Sequence, residues 1–424
     1  MRRGHPRGLD QSLPGLGAPA LLATAGSIGL AVGLFVAGFE WITVDLSFAM
    51  VCRLPIAVQA LVPVAGLAVN ALVLRAGRLG PSTSPTDEYI RAVHGGGQGI
   101  EPRVATWRLL AAAITLGSGV PLGHEGPALY AGAAVGEEAQ RRVGNRLSAS
   151  DRRALLMAGA AAGVAAVILA PVTAVVFALE VPFRDHVARR MVLPAAISAG
   201  AGYLASAGLA STEPPFSLAT HHPLRFVDLV GGALVGLLVG AFTHGFAGIV
   251  RGARRASLRW SPPVRVAIAG SAIAAGAVVS ERVFGAAGLG LGSGSEAMRW
   301  AFEDDHGLVL VVLLVLVRTV GVAAAVAGGG VGGLTVPLLL HGALLGRVVD
   351  AAVGRHDSSL FVVVGMASAL GAGYQVPLTA IVLLAELSGQ PGYVVPGLVA
   401  VAVGRIWGSS VSPFQMLPRD HEID

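Results

Sequence analysis

Cysteine and charge are scarce in this 424-residue sequence, and lysine is absent. The single cysteine, Cys52, excludes an intrachain disulfide and most thiolate metal sites. Charged residues make up 13% of the chain, against about a quarter in soluble domains, which excludes an ordinary water-facing surface for most of it. All 30 basic residues are arginine, and the absence of lysine reads as a compositional bias. The net charge of +5 could point to nucleic acid in a soluble chain. Here the arginines cluster in connectors between apolar stretches, where basic residues orient a membrane chain, and no nucleic-acid partner is expected.

What is abundant is apolar sequence: 54% hydrophobic residues and a mean hydropathy of +0.70. Apolar stretches cover 18–39, 55–74, 106–134, 154–183, 191–210, 227–250, 263–287, 307–346, 358–385 and 391–407. Several reach the ~20 residues that span a bilayer, and others are broken by glycine or proline or are long enough for two short helices. The fold class is an all-α polytopic membrane protein, in contact with membrane lipid and expected in a bacterial plasma membrane. Arg2, Arg3 and Arg7 precede the first stretch as in a signal peptide, but its 22 residues are too many, and it reads as the first membrane helix.

Gly117 to Pro127, reading Gly-Ser-Gly-Val-Pro-Leu-Gly-His-Glu-Gly-Pro, sits inside one of these stretches. Its glycines and prolines forbid a plain spanning helix, so the backbone breaks and restarts near Pro127. A restarted helix offers free N–H groups and the positive end of its dipole, and facing a polar membrane cavity it suits an anion. Glu125 lies at that restart, either as a cap or as a tethered anion competing with a mobile one. An ionisable group at mid-membrane is a functional hypothesis by default. His124 beside it has an unperturbed pKa near 6.5 and either neutralises the local field or faces a vestibule.

The chain also repeats itself. Pro171 to Glu180 matches Pro377 to Glu386, sharing Pro, Thr-Ala, Val and Glu. Pro127, Gly132 and Gly136 recur as Pro337, Gly342 and Gly346, and Gly97 to Glu101 recurs more weakly as Gly292 to Glu296. The offsets are 206, 210 and 195 residues, about half the chain. Two repeats with interrupted helices at matching places predict a transport site at their interface. The expected organisation is a disordered segment 1–17, repeat one over 18–210, a connector 211–226, repeat two over 227–415 and a tail 416–424. Glu180 and Glu386 are expected to be structural partners at helix ends. Arg318, alone in an apolar run, is expected to pair with a buried acid or to cap carbonyls.

From Pro85 to Phe414 the sequence resembles the CLC family of chloride channels and proton-coupled chloride exchangers. Gly123-His-Glu-Gly-Pro127 is similar to the family's G-(K/R)-E-G-P motif, and Gly332-Gly-Leu-Thr-Val-Pro337 to its G-x-F-x-P motif. Gly95 to Pro102 stands in the place of its G-S-G-I-P motif. The resemblance implies two inverted repeats, tilted and broken helices, and a homodimer with one anion pathway per subunit. It implies that Glu125 is the gate and that the backbone amides of His124, Glu125, Gly126, Leu334 and Thr335 face the anion. Gln98 stands where the family has a serine, Thr335 where it has phenylalanine, and Phe414 is the counterpart of its pore tyrosine. Val181 follows Glu180 where exchangers carry a second glutamate. The expectation is therefore passive conduction of a small anion, chloride first. A proton-coupled exchanger, or a carrier of fluoride or nitrate, is the alternative.

Enzyme motifs fail on context, and no cofactor is expected. Gly328-x-Gly330-x-x-Gly333 fits a dinucleotide fingerprint, but no βαβ unit surrounds it. His124-Glu125 lacks the second histidine of a zinc-protease helix. Gly117-Ser118-Gly119 lacks a convincing histidine partner for an intramembrane serine protease.

Overall fold

Glycine and proline decide where each apolar stretch becomes one helix or two. A computed structural model describes residues 17–81, 84–94, 99–143, 147–183, 189–209, 224–303, 306–353 and 359–415. Residues 1–16 of the expected N-terminal segment, most of the connector and the expected tail lie outside them. The chain begins with α1 (Ala18–Glu40), which continues through a wider π-helical stretch, Trp41–Phe48, into α2 (Ala49–Cys52). The first membrane helix, expected over 18–39, runs on past that stretch and is continuous over 35 residues. Glu40 and Asp45 lower the hydropathy there without ending the helix, while Trp41, Ile42, Leu46 and Met50 stay exposed. At about 1.5 Å per residue this helix is longer than the ~30 Å hydrocarbon core.

Next come α3 (Ile56–Ala76), the short polar α4 (Pro85–His94) and α5 (Pro102–Gly117). The first two broken stretches give α6 (Glu125–Val143), α7 (Ala149–Ile168) and α8 (Pro171–Glu180), followed by α9 (Val192–Ala207). The second half holds α10 (Phe226–Arg259), α11 (Pro262–Phe284), α12 (Ser295–Phe302) and α13 (Leu308–Ala327). It ends with α14 (Thr335–Val353), α15 (Leu360–Gly373), α16 (Pro377–Ser388) and α17 (Pro391–Trp407). Among the described residues, six helices are long and apolar enough to cross a membrane.

The breaks repeat as the sequence does. Gly119 and Gly329, 210 residues apart, both take left-handed backbone, at φ +85° and +78°. Leu169 and Gln375, 206 apart, do the same at +53° and +55°. Each of the latter pair ends a helix two residues before Pro171 or Pro377 starts the next, where a missing N–H costs nothing. Packing is duplicated too. A methyl on Gly132 would lie 2.0 Å from the Gly159 carbonyl oxygen, and one on Gly342 would lie 2.2 Å from that of Gly365. Only glycine lets α6 approach α7, and α14 approach α15, so closely.

Glu180 and Glu386 close the relation between halves. The Glu180 carboxylate accepts from the backbone of Leu378 (3.0 Å) and Thr379 (2.7 Å) and from the Thr379 hydroxyl (2.6 Å). Glu386 accepts from Val172 (3.0 Å), Thr173 (2.7 Å) and the Thr173 hydroxyl (2.6 Å). Each repeat thus caps the free N–H groups of the other repeat's matching helix. Arg318, fully buried, donates to the carbonyls of Leu291 (2.9 Å) and Gly292 (3.1 Å), which is the carbonyl-capping alternative. The arrangement is that of two inverted repeats, with no strands among the described residues.

Candidate functional site

The two interrupted stretches meet at one point. Gly123 and Gly333, again 210 residues apart, exchange backbone hydrogen bonds of 2.9 and 2.7 Å in an isolated antiparallel bridge. That bridge brings the N-termini of α6 and α14 side by side, so two sets of free N–H groups and two dipole ends converge. A methyl on Gly126 would lie 2.8 Å from the Gly333 Cα, so the bare backbone is what permits the approach.

Glu125, nearly fully buried, places its carboxylate between these ends. Its Oε2 accepts weakly from the Val336 amide at 3.4 Å and lies 3.1 Å from where a Gly333 methyl would be. The Thr335 hydroxyl, beside it on the first turn of α14, is buried and faces the Tyr374 phenol. Leu334 is buried immediately before it.

A third helix end reaches the same place. Thr86, on the first turn of α4, holds its hydroxyl 3.3 Å from where a Gly126 methyl would be. The Ser84 carbonyl accepts the first backbone bonds of α4, and the Ser84 hydroxyl is buried and unpartnered. The buried phenol of Tyr374 lies against the Thr86 and Thr335 side chains. Gln415 donates to the Tyr374 carbonyl (2.5 Å) and to that of Val181 (3.0 Å), tying the C-terminal segment to this wall. Buried hydroxyls left without protein partners are costly unless something polar visits them.

A cavity of about 270 Å³ opens onto this point, with Glu40, His124, Glu125, Ser293, Ser295 and Thr335 in its wall. His124 is held by its first-helix neighbour: Nε2 lies 3.1 Å from the Thr43 hydroxyl, and the Phe39 ring meets it edge-on at 6.2 Å. Glu40 is a second carboxylate on the same space, near enough to repel Glu125. Among the described residues no group of His, Cys, Asp or Glu is arranged to hold a metal ion.

Of the residues expected from sequence, His124, Glu125, Gly126, Leu334 and Thr335 come together. Gln98 lies outside the described residues. Its neighbour Gly99 packs on Glu137, twelve residues and about 18 Å along α6 from Glu125. Phe414 is absent from the cavity wall; its ring lies under the Arg91 guanidinium, 4.8 Å from the centroid. Sequence reasoning missed Thr86, Tyr374 and Glu40. The Ser84-Pro85-Thr86-Asp87-Glu88 run was a readable signal, with a capping residue, proline at the first helical position and an acidic first turn.

Two inverted repeats meeting through paired helix ends, around a buried carboxylate, define a helical membrane protein that passes anions. Residues 65–409 match the voltage gated chloride channel family, and the chain belongs to that family of CLC anion transport proteins. It is 27% identical over 364 residues to the H(+)/Cl(-) exchange transporter ClcA of Vibrio parahaemolyticus, covering 78% of this chain and 73% of that one. It superposes on a slow cyanobacterial Cl-/H+ antiporter with a TM-score of 0.81 at 20% identity, over 92% of this chain and 94% of the other. A CLC-type fluoride/proton antiporter gives 0.77 at 24% identity, over 94% and 98%.

Proposed function

We propose that the protein is a proton-coupled exchanger of a small anion, chloride first, in place of the passive conduction expected from Val181. The observation that carries this is the Glu125 carboxylate lying among the free amide ends of α6 and α14. A free anion would use the same donors, so the carboxylate and the anion exclude one another. Protonation removes the charge and the charge-assisted hydrogen bonds, which are roughly twice as strong as neutral ones, and lets the side chain leave. Each anion admitted is then linked to a proton taken up. The name of the Vibrio relative and the antiporters of like fold support exchange over conduction.

The Thr86 and Thr335 hydroxyls and the Tyr374 phenol would add donors to a bound anion, and fluoride is the alternative substrate. Val181 is buried and apolar, so protons do not pass through the side chain at that position. Glu40 offers them from the cavity. Beside Tyr374, the buried carboxylate of Asp87 is held by Arg254 (2.8 Å) and Ser412 (2.6 Å).

Assembly as a homodimer in a bacterial plasma membrane belongs to the same reading. The short helices α8 and α16, of 10 and 12 residues, cannot cross the hydrocarbon. They leave Val172 and Leu378 exposed beside the half-buried Glu386 cap, a polar feature that a second copy would cover better than lipid.

The test is reconstitution in liposomes, recording anion and proton fluxes together. An outward chloride gradient should drive protons uphill, and Glu125→Gln should abolish that coupling. Anion flux with no proton movement in the wild type would return the protein to the channel reading that Val181 favours.

A further inference from the structure

Away from the anion site, α3 and α11 diverge around a second cavity, of about 910 Å³. One end is cationic: Arg75, Arg78 and Arg265 line it beside Trp260, and among the described residues no carboxylate does. Arg265 is 5% exposed; its Nη1 donates to the Ser257 carbonyl at 3.3 Å, but its Nε has no partner. The Ser257 hydroxyl, 3% exposed, is also buried without a partner. Among the described residues none of the three arginines is in a salt bridge. A buried guanidinium with a free donor and no acid nearby is costly unless an anion joins it.

The other end is apolar. Val64, Ala68 and Leu72 recur at helical spacing along α3 and lead to Arg75, a run of about 16 Å. Leu72 and Leu258 are largely exposed. The last turns of α10, which lead into Ser257, Leu258 and Trp260 of the wall, also carry Arg251, Arg255 and Arg259. Basic helix ends with an interfacial tryptophan mark the leaflet facing the cytoplasm, where anionic lipids gather.

We infer that this cavity binds an anionic phospholipid, its phosphate between Arg75, Arg78 and Arg265 and one acyl chain along the apolar face of α3. A free phosphate would satisfy the cationic end and leave the apolar run empty. A zwitterionic lipid would fill the run but bring its own ammonium to the arginines. The site backs onto transport machinery, because the Arg265 guanidinium packs 3.4 Å from where a Gly329 methyl would lie, in the turn that feeds α14.

Native mass spectrometry of the detergent-purified protein, offered phosphatidylglycerol and phosphatidylcholine together, tests this. The wild type should retain phosphatidylglycerol, in the presence of inorganic phosphate too. Arg75→Gln with Arg78→Gln should lower that preference by about tenfold or more, since each basic residue near a lipid surface is worth ~1 kcal/mol. Both positions are exposed, so folding should survive. If it does not, brominated lipids read the site in otherwise intact protein: brominated phosphatidylglycerol should quench the fluorescence component lost in Trp260→Phe, and brominated phosphatidylcholine should not. Equal retention or quenching by the two lipids, displacement by phosphate alone, or an unchanged preference in a folded double variant would each overturn the inference.

Discussion

The Glu125 carboxylate shares its place with side chains brought in from other elements. Thr86 and Tyr374 are ordinary residues in sequence, and only the convergence of α4, α14 and the α15–α16 break puts their hydroxyls beside Gly126 and Thr335. If these hydroxyls donate to the anion, Thr86→Val and Tyr374→Phe should each weaken anion binding by about 10- to 100-fold, the ~1.5–3 kcal/mol of a hydrogen bond to a charged group. Isothermal titration of the two variants against the wild type checks this. The apolar stretch 18–39 ends just before Glu40, so hydropathy alone leaves that carboxylate outside the first helix. Because Glu40 offers protons from the cavity in the proposed exchange, Glu40→Gln should slow proton movement in liposomes severalfold while anion binding by titration stays close to wild type.

Whole elements were the most readable level. Prolines and glycines placed the breaks between α5 and α6, α7 and α8, α13 and α14, and α15 and α16, since these residues remove a donor or admit left-handed backbone wherever they stand. The Glu180 and Glu386 caps followed from the repeat, because matched acids at matched helix ends serve matched needs. What stayed hidden was the pairing of α6 with α7 and of α14 with α15, which depends on backbone contacts between distant glycines. Gly132→Ala tests that pairing: its methyl would meet the Gly159 carbonyl at 2.0 Å, and neither backbone can retreat. A loss of about 1–3 kcal/mol or more is expected, seen as a lower thermal midpoint in detergent. Gly200→Ala in α9, with nothing within 4 Å, should be neutral or gain up to about 1 kcal/mol.

At the scale of the molecule, inverted repeats build the candidate site from one chain, so the proposed pathway needs no residue from a second copy. If subunits pair through the short helices α8 and α16, activity should remain a property of each subunit. Co-reconstituting active subunits with copies blocked at the site should give flux proportional to the active fraction, and a steeper loss would mean a shared pore. The fold's symmetry also explains why the site lies where it does: the Gly123–Gly333 bridge pairs equivalent positions of the two repeats. The central claim, that the Glu125 carboxylate holds the place of an anion, is tested most directly by counting bound anions. Titration of wild type and Glu125→Gln with chloride and fluoride should show one more anion per subunit in the variant. Equal stoichiometry and equal affinity in the two proteins would contradict it and leave Glu125 a helix cap.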